Sequence, residues 1–174
     1  LQDLKRDLDA FAGSQELNGF QRYILGEMYQ YDLPDAGFPI RSVIVAAMPV
    51  PAYADVTFEH GSRTIPMKSL ARYYPGRETA HEALKELLVE PLGYHIEPAG
   101  TLPLKRLAVC GGLARYGRNN ITYVEGMGSH QALSAFFTDL PCDEDGWREV
   151  AQLDRCAGCT ACLQNCPTGA LRPD

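Results

Sequence analysis

Nothing in the chain stays apolar long enough to cross a bilayer: the longest such run, Val43 to Val50, falls well short of the roughly 20 residues a spanning helix needs. The opening residues Leu1-Gln2-Asp3-Leu4-Lys5-Arg6 lack the apolar core of a secretory signal. These absences point to a soluble, cytoplasmic protein with no membrane partner. Positive charge is also scarce. The 16 Lys and Arg residues face 22 Asp and Glu, a formal charge of -6, which leaves little attraction for phosphate backbones and argues against a nucleic-acid partner. There is no internal repeat and no low-complexity segment. What is present suffices for a core: 174 residues with 45% hydrophobic side chains fit one large domain, or one domain with a small appendage. The chain does not begin with Met, and we expect residues to be missing before Leu1.

Apolar periodicity assigns most elements. Leu1, Leu4, Leu8 and Phe11 predict an amphipathic helix that runs to Gly13-Ser14, and a second covers Phe20 to Tyr29. Arg41 to Met48 reads as a buried strand between Pro39 and Pro49. Residues 49 to 66 show no period and are expected to form a long loop. Glu78 to Val89 carries one stripe of Ala80, Ala83, Leu84, Leu87 and Leu88, closed by Pro91-Leu92-Gly93, so it reads as a helix with His81 on its solvent side. Tyr94-His95-Ile96 predicts a brief strand, and Pro103 to Gly111 a helix stopped by Gly111-Gly112. Two further strands are expected at Ile121 to Val124 and Ala132 to Thr138. The acidic, turn-rich stretch from Pro141 to Gly146 then marks a boundary, giving an α+β domain over residues 1–140 and a cysteine-rich appendage over 141–174.

Four of the six cysteines crowd into the last nineteen residues of that appendage as Cys156-x-x-Cys159-x-x-Cys162-x-x-x-Cys166-Pro167. Cysteines so close are poorly placed to pair as disulfides, and a reducing cytosol keeps them as thiols, so metal ligation is the economical reading. The spacing is that of bacterial ferredoxins, in which three cysteines on a tight loop reach three corners of a 4Fe-4S cube. Ala157, Gly158, Thr160 and Ala161 are small enough for backbone amides to approach the sulfides. Zinc is the competing metal, but zinc sites usually pair two Cys-x-x-Cys halves across a long spacer, and here the pairs overlap. In two-cluster ferredoxins the cysteine before proline ligates the other cluster, and this chain has no second run. Cys142, Cys110 or Cys166 would have to complete the first cube; the simpler expectation is a further cysteine-bearing segment beyond these residues. Pro167 is expected to open a short helix ending near Leu171.

Three more segments stand in a telling order before the cysteines: Gly112-Leu113-Ala114-Arg115-Tyr116-Gly117-Arg118-Asn119-Asn120, then Gly128-Ser129, then Phe136-Phe137-Thr138-Asp139-Leu140-Pro141. Together with the ferredoxin run, over about residues 40 to 171, they resemble epoxyqueuosine reductases, a cobalamin-dependent iron–sulfur group similar to the reductive dehalogenases. The resemblance implies a nitroreductase-like α+β domain that holds cobalamin beside a ferredoxin-like domain with one or two 4Fe-4S clusters. It implies an oxidoreductase passing electrons from cluster to cobalamin, or a similar cofactor, and on to an unidentified small molecule or modified nucleoside, with a ferredoxin or flavodoxin as donor. The alternative is a ferredoxin-like electron-transfer protein or partner subunit without cobalamin chemistry of its own.

The departures from the family pattern matter. Ala114-Arg115-Tyr116 stands where the family has Gly-Trp-x, and His130 follows Ser129 where the family has Trp. The family's acidic proton donor lies in an Asp-x-x-Pro segment whose place here reads Glu97-Pro98-Ala99-Gly100-Thr101-Leu102-Pro103. Glu97 replaces it only if the register shifts by one. The catalytic candidates are therefore Glu97 and His130. Tyr116, Arg118, Asn119, Asn120, Gly128 and Ser129 are the candidate cofactor-binding residues, with an ordinary polar turn and a hairpin bulge as the competing readings. The metal candidates are Cys156, Cys159, Cys162 and Cys166. His60, His81, His95 and His130 share no ligand spacing; Cys110 is expected in the core and Cys142 in the open. The Tyr73-Tyr74-Pro75-Gly76-Arg77 stretch occupies the place of another family segment, and a core tyrosine pair before a turn is its commoner meaning.

Overall fold

The computed structural model describes residues 1–50, 53–70, 76–143 and 146–171, and within them the chain is a mixed α+β structure. At its centre is a three-stranded antiparallel sheet ordered β1-β7-β4, with β1 Ser42–Pro49, β4 Ile96–Pro98 and β7 Gln131–Thr138. Strand β7 is the middle strand, and helices cover both of its faces, which explains its unbroken burial from Ser134 to Thr138. One face, bearing Val43, Val45, Ala135 and Phe137, packs against helix α1 (Gln2–Gly13) through Leu4 and Leu8 and against α5 (Leu104–Cys110) through Leu107. Phe136 points to the other face and stacks on His81 of α3 (Gly76–Leu84), ring centroids 5.6 Å apart. His81 is thus a packing residue, not the solvent-facing one its spacing predicts. The imidazole covers a phenyl ring that is 0% exposed.

The end of β4 is clamped. The backbone N–H of His95 donates to Asp139 Oδ1 at 2.7 Å, the His95 Nδ1 lies 2.8 Å from Asp139 Oδ2, and Phe38 stacks on the imidazole. The His95 N–H, then its ring, hold the Asp139 carboxyl below its ordinary pKa. A group depressed in the fold contributes stability above its unfolded pKa and loses it as pH falls through the folded one. We therefore expect Asp139→Asn to be less stable than the parent at neutral pH, with the gap closing below about pH 4, as read by denaturant melts across pH. A constant gap would show that the ionised carboxylate is irrelevant.

Several elements differ from expectation. Residues 49 to 66, expected as a loop, instead enter a hairpin of β2 (Tyr53–His60) and β3 (Arg63–Leu70). Its two-residue turn has Gly61 at φ 61, the left-handed value that glycine supplies at such turns. The helix from α3 widens at Lys85–Val89 before the short α4 (Glu90–Leu92), because Pro91 has no N–H to continue the ladder. A second helix α2 (Gly19–Tyr23) likewise widens at Ile24–Met28, where a helix to Tyr29 is expected. Strand β4 starts two residues later than Tyr94. Among the described residues no helix follows Pro167; the short α6 (Ala161–Gln164) precedes it, and Gly169 at φ 64 turns the chain instead. The tyrosines Tyr73 and Tyr74 lie outside the described residues. Among the described residues no helix is long and apolar enough to cross a membrane.

Candidate functional site

The site is assembled by a second hairpin, β5 (Ala114–Tyr116) and β6 (Thr122–Val124), which sits on the end of β7 where Gln131 Nε2 donates to the Thr122 carbonyl at 3.0 Å. The glycine of the connecting turn is required by space. A Cβ at Gly117 would lie 2.6 Å from Asn119 Oδ1 and 2.6 Å from the Tyr123 ring. Asn120 takes φ 59, and Asn119 Oδ1 accepts the Ile121 N–H at 3.2 Å, so the asparagines build the turn that the strand pair needs. Asn119 Nδ2 also reaches Tyr123 Oη at 3.4 Å. We predict that Gly117→Ala destabilises the protein by about 1–3 kcal/mol, measured by denaturant unfolding, since the ring and the turn cannot both retreat. An effect near zero would mean the turn is loose.

This hairpin holds the cysteine segment directly. The Tyr116 N–H donates to the Ala151 carbonyl at 3.0 Å and the Leu153 N–H to the Tyr116 carbonyl at 2.9 Å, a parallel strand contact centred on Gln152. Arg115 pairs with Asp154 at 3.0 Å, and Arg118 donates to the Cys159 carbonyl at 3.0 Å. Upstream, the Arg148 N–H donates to the Cys110 carbonyl at 2.7 Å, its guanidinium lies against Gly112, and Trp147 packs on the Leu4 cluster. Cys110 is fully buried, and burial raises its thiol pKa, whereas Cys142 is exposed. The turn from Arg115 to Arg118 and the loop that carries Cys159 are therefore neighbours. Tyr116 is half-buried, and its phenol is pushed up by burial.

Cys156, Cys162 and Cys166 are partly buried and Cys159 is exposed. Among the described residues no three His, Cys, Asp or Glu side chains gather around a single metal ion. A cube asks for something else, because each thiolate takes its own iron corner. The donor set fits that demand in its chemistry: four thiols lie within residues 156–166, separated by short turns such as the one closed by the Cys159 N–H on the Cys156 carbonyl. The Cys166 thiol has its pKa brought down to about 7 by the Leu171 N–H and then by Thr168, so its thiolate is a substantial species near neutral pH.

The catalytic candidates do not meet. Glu97 lies opposite Phe137 and His130 just before β7 begins, so the two stand at opposite ends of that strand, roughly 24 Å apart at a strand's rise per residue. His130 is at the end nearer β6 and the cysteine segment; Glu97 is at the far end, beside the His95–Asp139 pair that no spacing in the sequence brings to notice. Gly126 and Gly128 have φ 77 and 69 with open space where a Cβ would stand, and Ser129 and His130 are exposed next to them. Gln131 Oε1 is buried there without a hydrogen-bond partner. The polar groups of Arg118 and Asn119 are by contrast engaged with the protein itself.

No protein-family model matches the chain, and no curated protein matches it. Solved structures do. The chain superposes on epoxyqueuosine reductase from Bacillus subtilis, solved with its catalytic aspartate loop swung out of the active site, at a TM-score of 0.53 and 19% identity over 98% of this chain and 46% of that one. It superposes on an epoxyqueuosine reductase bound to an epoxyqueuosine-modified tRNA-Tyr stem loop at 0.54 and 20%, over 98% and 46%. For the enzyme from Streptococcus thermophilus the values are 0.52 and 16%, over 100% and 48%. The chain thus spans about half the length of these proteins and shares their fold.

Proposed function

We propose that this chain is part of an iron–sulfur oxidoreductase of the epoxyqueuosine reductase kind, acting on a modified nucleoside carried by RNA. The observation that carries the reading is the contact between the Arg118 turn and the Cys159 loop, inside a fold shared with three epoxyqueuosine reductases. Cys156, Cys159 and Cys162 would hold three irons of a 4Fe-4S cube, and Cys166 either the fourth or an iron of a neighbouring cluster. The cluster supplies single electrons, and a cobalamin would supply the two-electron chemistry that a carbon–oxygen bond demands. The chain's own part is positional. Arg118 pins the loop, the Tyr116 backbone fixes the approach to it, and the open side of Gly126 and Gly128 leaves room for a flat group. His130, exposed beside that opening, is the proton donor of this scheme in place of Glu97.

An RNA substrate replaces the expectation, drawn from net charge, that nucleic acid is not a partner. A relative of this fold is solved with a tRNA stem loop, and net charge summed over a chain is silent about a local surface. In this scheme residues 1–140 form a nitroreductase-like domain and 141–174 a ferredoxin-like one, with the chain acting in the cytoplasm. A second reading, an electron-transfer subunit without its own cobalamin, is favoured by the engagement of Arg118 and Asn119 in protein hydrogen bonds.

Anaerobic reconstitution with iron, sulfide and hydroxocobalamin, followed by metal analysis, separates the readings. Stoichiometric iron and cobalt are expected. Iron without cobalt favours the electron-transfer subunit, and a protein that takes up neither sinks both.

A further inference from the structure

We propose that Lys105, Arg115, Arg118 and Arg155 form a basic rim around the exposed cysteine loop that docks an acidic electron-carrier protein. The inference rests on the iron–sulfur reading of that loop. Three contacts place the rim: Lys105 Nζ donates to the Asn120 carbonyl at 3.2 Å, Arg118 donates to the Cys159 carbonyl, and Arg115 pairs with Asp154, next to which stands Arg155. Lys105, Arg115 and Arg155 are exposed, and so are residues 157 to 161 of the loop they surround. These four cations stand against Asp154, which Arg115 pairs, and against the net negative charge that a thiolate-ligated 4Fe-4S centre would carry, and they outnumber both on a chain whose formal charge is -6. Clustered charge of this kind steers an oppositely charged partner and sets its orientation more than its final affinity, as suits a carrier that must leave again.

The rim favours an acidic protein over RNA. Unpaired RNA is read by stacking bases on exposed aromatic rings. Tyr116 and Tyr123, the aromatic residues of this hairpin, are both partly buried, and Tyr123 Oη is bound to Asn119. The exposed rings Tyr53 and Phe58 belong to the β2–β3 hairpin instead.

The test uses the iron-loaded protein and an acidic flavodoxin, with binding measured by calorimetry at about 20 mM and about 300 mM salt. Binding at low salt that weakens about tenfold or more at high salt is expected, as is a comparable loss at low salt for Arg155→Glu and for Lys105→Glu. Arg63→Glu, at the tip of the other hairpin, should bind like the parent. No salt-sensitive binding of flavodoxin overturns the proposal. So does a loss confined to an RNA stem loop tested in parallel, with flavodoxin binding unchanged in both variants. Iron content is measured on every sample. A fully loaded protein that ignores flavodoxin sinks the docking surface alone, whereas a protein that takes no iron yet binds flavodoxin through Lys105 and Arg155 supports the surface and sinks the cluster.

Discussion

Replacing Cys159 with alanine is expected to abolish the visible iron–sulfur absorbance and to cut bound iron to a small fraction of the parent's. Cys159 sits in the middle of the 156–162 run, is the most exposed of the four candidate ligands, and has its carbonyl held by Arg118. Loss of its thiolate opens one iron corner to solvent and leaves the cube labile. The backbone strap should survive, because Arg118 bonds the carbonyl and not the sulfur. Cys156→Ala and Cys162→Ala should behave alike, while Cys166→Ala should matter as much only if Cys166 ligates the same cube. Iron content and spectra of the reconstituted variants decide it. A full complement of iron in Cys159→Ala would mean that the ferredoxin reading is wrong, and a colourless parent that binds zinc instead would mean the same.

Phe136→Ala is expected to cost about 3–5 kcal/mol, a large part of the total stability of a domain this size. Phe136 is fully buried at the centre of β7, opposite Ile44 on one side and Pro98 on the other, and its ring is capped by His81. Truncation leaves a cavity between the sheet and α3 that neither rigid neighbour can fill. His81→Ala, which removes only the cap, should cost much less, about 0.5–1.5 kcal/mol. Denaturant melts of both variants test this. A loss under about 1 kcal/mol for Phe136→Ala would show that α3 collapses onto the sheet freely.

The elements legible in the sequence are those with a strong local signature. Strand β1, strand β7, the helices at Gln2–Gly13 and Leu104–Cys110, and the cysteine run were all readable from apolar pattern or spacing. The β2–β3 hairpin was not, because its eight-residue strands are exposed along their described side chains and Pro66 sits within β3, which demotes a strand pattern. His81 was misread because α3 lies against the sheet near β7, where even the polar side of a helix finds a partner. The hinge of the site, the Tyr116 backbone paired with residues 151 and 153, joins segments far apart in sequence through main-chain atoms alone. No residue type announces such a bond. Arg118 is singled out by its motif as a candidate cofactor ligand, and its bond to the Cys159 carbonyl is a further use that the motif does not announce.

That main-chain pairing has a consequence for biogenesis. Ala151 and Leu153 leave the ribosome after Tyr116 and Cys110 and can dock only on a hairpin and helix that already exist. The cysteine loop is thus shaped by the core it docks on, and under the proposed iron–sulfur reading iron would be loaded onto a loop that those main-chain bonds already hold. Under that reading a cell short of iron would accumulate a protein folded through β7 with an unfilled, thiol-rich loop, open to oxidation at the exposed Cys159 and at Cys166 with its lowered pKa.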